Sequence, residues 1–225
     1  MPRWSVLASD FDGTLATGGW VPVETLAAVS RFRAAGGTFV LVTGRRLSEL
    51  YEVFPETDQV ADRVVAENGG ILLDPAHPPA VCLTVSPPEE LKSVLVDSGV
   101  LDVEIGDVLV SASRDDEIAV RRAAHRIAHL WPCQVVPNKD RVMLMPAGVD
   151  KGTGLAAAVA TLGVSLRDVL AIGDGENDVA LLRAAGLGVA VADAVPALQA
   201  HADLLTRAES SAGVVETIDC LLTAS

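Results

Sequence analysis

Short apolar, β-branched runs recur between helix-length segments, and this alternation constrains the fold more than any other feature of the chain. Runs at residues 6–9, 39–42, 64–66, 169–172 and 188–191 read as strands buried on both faces. Helical stretches lie among them at 22–35, 46–54, 152–162 and 177–185. The first opens with Pro22 and Glu24 and stops at Gly36-Gly37. Strands separated by helices need crossover connections, hence a mostly parallel sheet with helices on both faces. Glu67-Asn68-Gly69-Gly70 reads as a tight turn into a strand at 71–73, with Asn68 or Gly69 supplying a positive φ.

The middle of the chain follows another rhythm. Residues 74–79 are rich in proline and read as a linker. A helix at 87–97 precedes strands at 101–105 and 108–111, and a helix at 115–130 precedes strands at 133–136 and 141–145. This αββαββ pattern predicts a small α+β unit at 81–149, inserted into a Rossmann-like α/β core formed by 1–80 and 150–225. The insert holds 7 basic and 10 acidic residues against 10 and 20 elsewhere, so it is the less acidic part, as suits a lid that meets an anion. Pro75, Pro78, Pro79 and Gly148 suit two linkers that hinge.

Half of the 225 residues are apolar, enough for a substantial core, and with aromatics at 4% the interior must be built from Ala, Val and Leu. The formal net charge of −13 argues against nucleic-acid or membrane-surface binding, which need basic stripes. Cys82, Cys133 and Cys220 have no C-x-x-C spacing and read as buried free thiols of a reducing compartment. No signal pattern or bilayer-spanning stretch is present in the sequence, so a cytoplasmic location is expected. Trp4, Trp20 and Trp131 read as packing residues, and His125 and His129 as a helix pair without a third metal ligand.

Polar residues cluster where the strands end. The first run closes in Asp10-Phe11-Asp12-Gly13-Thr14, placing two acids at the C-terminal edge of the sheet, where open α/β sheets bind ligands. Read alone, Asp10 is a metal ligand, a nucleophile or a turn acid. The second run ends in Thr43-Gly44-Arg45, a hydroxyl beside a glycine that lets backbone N–H groups approach an oxyanion. Thr43 has a second reading as the cap of the helix near residue 46, and Arg45 and Arg46 one as surface ion-pair residues. Lys151 precedes a Gly-Thr-Gly helix start. Gly173-Asp174-Gly175-Glu176-Asn177-Asp178 ends a third strand with hard oxygen ligands of the kind Mg²⁺ prefers.

These four segments resemble the haloacid dehalogenase-type phosphohydrolases, and the insert resembles that superfamily's C2B-type cap. The Glu-Asn-Gly-Gly turn and the Gly-Asp-x-x-Asn-Asp run look most like its Cof-type branch, with phosphoglycolate and sugar-phosphate phosphatases among the relatives. The resemblance implies that Asp10 is a nucleophile forming an aspartyl-phosphate, and that Asp12 serves the leaving oxygen as acid and then water as base. It implies phosphoryl contacts from Thr43, Gly44, Arg45, Lys151 and Asn177. It implies Mg²⁺ held by Asp10, Asp174 and the main-chain carbonyl of Asp12, with Asp178 orienting this shell or ligating through water. The expected substrate is a small phosphorylated metabolite, with no nucleic acid or membrane partner, and the protein a monomer or homodimer. A phosphomutase and a non-catalytic phosphate sensor are the alternatives.

Electrostatics explains the inventory. A carboxylate approaching a phosphate dianion meets about 4 kcal/mol of repulsion per charge pair at ~4 Å and an effective dielectric of ~20. Two pairs would cost roughly six decades of rate, so a divalent cation and an ammonium are required. Two departures from the resemblance stand out. Asp193 occupies a position in Val191-Ala192-Asp193-Ala194 where relatives usually carry Asn, and Val142-Met143-Leu144-Met145 lacks an acid often found there. Asn138, Lys139 and Arg141, in the insert's last hairpin, are candidates for gripping the leaving group, with a solvated turn as the other reading.

Overall fold

A computed structural model of the chain describes residues 4–223. Its strands are β1 (Val6–Asp10), β2 (Thr38–Val42), β3 (Arg63–Ala66), β4 (Ile71–Leu73), β5 (Val81–Cys82), β6 (Val103–Ile105), β7 (Val110–Ser113), β8 (Cys133–Asn138), β9 (Arg141–Pro146), β10 (Val169–Gly173), β11 (Leu187–Ala190) and β12 (Leu204–Leu205). The helices among the described residues are α1 (Val23–Ala34), α2 (Leu47–Val53), α3 (Thr57–Val60), α4 (Glu90–Asp97), α5 (Glu117–Ile127), α6 (Lys151–Leu162), α7 (Val179–Ala184), α8 (Pro196–Gln199) and α9 (Ser210–Thr223).

Eight strands form one sheet in the order β12-β11-β10-β1-β2-β3-β4-β5. The pairs from β12 across to β3 are parallel, and β4 and β5 add antiparallel strands at one side. Every residue of β1 is buried, as its unbroken apolar run requires of a strand covered on both faces. Helices α1 and α9 pack together, as do α6 and α7, and the sheet core includes Leu7, Phe39, Leu155, Ile172, Val214 and Ile218. The α/β core with helices on both faces is thus as expected.

The second sheet has the order β6-β7-β9-β8 and is wholly antiparallel. On β9 the side chains alternate, as a pleated strand dictates. Val142 and Leu144 pack under α4 and α5 with Leu91, Leu95, Val120 and Ile127, while Met143 and Met145 join Leu109 on the opposite face. Helix α5 buries Val120, Ala123, Ala124 and Ile127, the i, i+3, i+4, i+7 stripe of a helix with one apolar face.

Several expectations need correction. Strand β5 pairs with β4, so the large sheet runs on through Cys82, past the boundary drawn at 80. Cys82 and Cys220 are exposed and Cys133 half-buried, so the thiols are free but not core residues. Trp20 is 61% exposed on a turn and does not pack. Helix α9 was not foreseen, although Val214, Thr217, Ile218 and Leu221 carry the same helical spacing.

Between the two sheets lies a docking contact absent from the sequence reading. Glu67, Asn68 and Gly69 all have positive φ (49°, 51° and 105°), a turn that aims the Glu67 side chain away from its own strand. The Glu67 carboxylate, 2% exposed, accepts hydrogen bonds from the amides of Asp107 (3.1 Å), Val108 (2.7 Å) and Leu109 (2.8 Å) in the β6–β7 turn. Glu67→Ala leaves these buried donors without their acceptor, at about 1–3 kcal/mol for each that water does not reach. A net loss of about 3 kcal/mol, or a melting temperature lower by roughly 6–12 °C, is expected from calorimetry. A change near zero would show that the turn finds other acceptors.

Candidate active site

The register of three neighbouring strands gathers the polar residues. Asp10 lies opposite Val42, and Ser9 opposite Ile172, so β1, β2 and β10 end nearly level. Just beyond these ends, the chain supplies Asp12, Thr43 and Asp174. The chain leaves β1 for β2 on one side and later reaches β10 on the other, which makes this edge a topological switch point. Gly13, at φ 87°, lets the loop after Asp12 pass close by, since a Cβ there would fall 2.3 Å from Asp174 Oδ2.

Lys151 opens α6, whose N-terminus Asp150 caps by accepting from the Thr153 amide at 2.8 Å. Its side chain is 1% exposed, and its Nζ donates to Asp10 Oδ1 and Asp178 Oδ1, both at 2.5 Å. Asp178 Oδ2 accepts from the amides of Asp174 (3.0 Å) and Gly175 (2.8 Å). Fully buried Asp178 therefore spends both oxygens on protein donors and fixes the loop that carries Asp174. Carboxylate oxygens of Asp10, Asp174 and Asp178 lie within 4.8 Å of one another.

Charge in this cluster is out of balance. Burial, and then the neighbouring Asp178, push the Asp10 pKa well above 3.8, although Lys151 opposes them. Burial likewise raises that of Asp174. For Lys151 burial acts to lower the pKa, but Asp10 and Asp178 more than reverse it, so the ammonium stays charged. Three buried carboxylates thus face one buried ammonium.

Arg45 grips Asp12 through two parallel hydrogen bonds, Nε to Oδ2 and Nη2 to Oδ1, both 2.7 Å, and lies 5.6 Å over the Phe11 ring. Its ion-pair reading therefore holds, with a partner that itself lies at the sheet edge. Thr43 is fully buried and its hydroxyl accepts from the Arg45 amide at 3.1 Å, whereas α2 begins after Arg46, so Thr43 does not cap it. Asn177 donates to Asn68 Oδ1 at 2.9 Å. A cleft of about 540 Å³ opens between this edge and the insert, bordered by Asp10, Asp12, Gly44, Arg45, Lys151 and Asn177 and, opposite, by Lys139 and Arg141.

Lys139 joins the site more directly than the hairpin reading suggested, donating to Asp174 Oδ2 at 2.6 Å. Asp193 stands apart. It accepts from the amide and hydroxyl of Ser210, both at 2.7 Å, and anchors the start of α9. His125 and His129 form no metal-binding cluster among the described residues.

Comparison with known proteins agrees with this architecture. The model of the haloacid dehalogenase-like hydrolases matches residues 7–95 and 100–218. A phosphoglycolate phosphatase of Archaeoglobus fulgidus is 30% identical over 220 residues, 96% of either chain. That of Methanothermobacter thermautotrophicus is 32% identical over 224 residues, covering 94% of this chain and 96% of its own. A haloacid dehalogenase-like hydrolase from Bacteroides thetaiotaomicron superposes with a TM-score of 0.79 at 20% identity, over 96% of this chain and 99% of its own. A subclass IIB sugar phosphatase superposes with 0.78 at 18%, over 96% and 98%. With its three strand-end segments, the lysine that opens α6, and a family match spanning nearly the whole chain, this protein belongs to the haloacid dehalogenase-like hydrolases.

Proposed function

We propose that the chain is a Mg²⁺-dependent phosphomonoesterase acting on a small organic phosphate of the phosphoglycolate or sugar-phosphate kind, through an aspartyl-phosphate. The observation that carries this reading is the buried Lys151 held 2.5 Å from both Asp10 and Asp178 at the floor of a cleft. It supplies a carboxylate with its charge partly offset, at the sheet edge where ligands bind.

The donor set fits a divalent cation. Three buried carboxylates against the buried Lys151 and the half-exposed Lys139 leave one negative charge without a partner, and the raised Asp10 pKa is the local sign of that deficit. Hard oxygen donors suit Mg²⁺. Asp10, Asp174 and the Asp12 carbonyl would hold it, while Asp178, engaged at both oxygens, orients the loop. When bound, the ion offsets the charge of the nucleophile and of the phosphoryl oxygens.

The chain's own residues then do the following. Asp10 attacks phosphorus, and the bond to the leaving oxygen breaks as Asp12 gives that oxygen a proton. Arg45 must first release at least one Asp12 oxygen, which takes up a proton from solvent as it is freed, and the release leaves the arginine's donors for the phosphoryl group beside Gly44. Asp12 next takes a proton from the water that attacks phosphorus, regenerating Asp10 and freeing inorganic phosphate. Lys151 holds Asp10 in place throughout, and Asn177 and Thr43 shape the phosphoryl pocket. The unit carrying the second sheet acts as a cap over the unit carrying the first. The cleft suits a compact leaving group, and relatives over the whole chain bear the name phosphoglycolate phosphatase.

The test is phosphate release from a panel of esters, including 2-phosphoglycolate and hexose phosphates, with Mg²⁺ and with a chelator. Release that needs the metal and ranks a small ester first supports the reading. Isomerised product from a sugar bisphosphate in place of free phosphate would replace it with a mutase, and tight ester binding without turnover with a sensor.

A further inference from the structure

Lys139 occupies the tip of the β8–β9 hairpin with φ 51°, a left-handed conformation that turns usually give to glycine or asparagine. Its amide donates to Glu176 Oε2 at 3.1 Å. Its ammonium donates to Asp174 Oδ2 at 2.6 Å and to the main-chain oxygen of Asp12 at 3.4 Å. A hairpin needs no lysine at such a position, and the side chain's contacts are all across the cleft. The oxygens it touches are two of those proposed above to hold Mg²⁺. An ammonium donating to both of these oxygens stands in the position that a divalent ion held between them would need.

Asp12 and Arg45 border the cleft beside the ammonium, and Arg141 lies on the same hairpin and lines the same space. Arg141 Nε donates to Ser111 Oγ at 3.0 Å, while its buried Nη2 has no hydrogen bond even though Glu104 stands 3.1 Å away. The region beside Asp12, where the leaving group would lie, is within the same cleft as Lys139, with Arg141 nearby in an ion pair with Glu104.

We propose that Lys139 has two stations: in the ion-free protein it takes the cation's place between Asp174 and Asp12 and ties the cap down, and in the loaded protein it turns to the leaving group and selects substrates with a second negative charge there. The second station rests on the phosphatase reading, and the first only on the metal site within it.

Calorimetric titration of chelator-treated protein with Mg²⁺ tests the first station. Lys139→Met is expected to bind the ion roughly tenfold more tightly than the wild type, the worth of one charge-assisted hydrogen bond. Lys139→Gln is expected to follow it, and addition of Mg²⁺ to the wild type to speed hydrogen exchange in residues 138–141. Equal or weaker binding by both variants would overturn the proposal, whether or not any ester is hydrolysed. For the second station, Lys139→Met is expected to raise KM for 2-phosphoglycolate about tenfold more than KM for p-nitrophenyl phosphate. Equal changes for the two esters would overturn that half.

Discussion

Asp10→Asn is expected to abolish phosphate release and, in the presence of a chelator, to make the protein more stable. The amide keeps the shape of the side chain and can still accept from Lys151, but it cannot form the covalent intermediate. A fall of at least about 10⁴-fold in kcat is the scale seen when a nucleophile is removed. The gain in stability follows from burial and Asp178, which raise the Asp10 pKa well above 3.8. A carboxylate with a raised folded-state pKa contributes stability below its unfolded value, and that contribution is lost as pH rises through the folded value. Above it, the wild type bears an ionised Asp10 that the fold disfavours, and the variant does not. The variant's advantage should therefore open as pH rises above the usual carboxylate range. It should reach at least about 1 kcal/mol, or roughly 2–4 °C, and shrink when Mg²⁺ is added. Melting curves across pH, with chelator and with Mg²⁺, check both signs. A variant that still releases phosphate would remove Asp10 from the mechanism, and one that melts lower in chelator would refute the charge deficit.

Lys151→Met is expected to damage both fold and function. Methionine matches the length of the stem but leaves Asp10 and Asp178 facing each other in a buried place without their common cation. Removing one partner of a buried ion pair costs about 3–5 kcal/mol, a large part of a typical total of about 5–15 kcal/mol. The corresponding drop in melting temperature is roughly 6–20 °C, and activity should fall by about 10³-fold or more. Adding Asp178→Asn to this variant removes one of the stranded charges. The double variant should therefore regain part of the stability but none of the activity, a non-additivity expected of groups in direct contact. If the two substitutions simply add, the three residues are not one electrostatic unit.

The gathering of Asp10 and Asp174 could be read from the chain because it depends on local rules, whereas Lys151 at a helix start joined them only through the family resemblance. Parallel strands buried on both faces are continuous apolar runs, their ends are visible as the first polar residue, and a sheet with crossovers brings those ends to one edge. Arg45 was harder, since an arginine near a strand end fits an ion pair and a ligand contact equally, and only the structure shows that its ion-pair partner is Asp12. What Glu67 and Lys139 bind was out of reach for a different reason. Their partners lie 40 to 42 and 35 residues away along the chain, on the other sheet, and follow from how two separately packed units dock. Helix α9 was within reach, because its apolar spacing is regular. It lacks a conventional opening signal, since Ser210 enters with φ 45° and is secured by the distant Asp193.

The Glu67 contact has a mechanical corollary. The second sheet meets the first through Glu67 at the β6–β7 turn and through Lys139 at the β8–β9 tip. The first tie is dry and engages three consecutive amides, whereas the second is half-exposed and shares its carboxylate with the proposed ion site. A body pinned at one point and released at another rotates about the pin. The cleft would then open as a jaw, widest at the hairpin carrying Lys139 and Arg141 and nearly constant beside Glu67. Substrates would be sorted by the length they add on the hairpin side, while the phosphate end keeps the same fit in every complex.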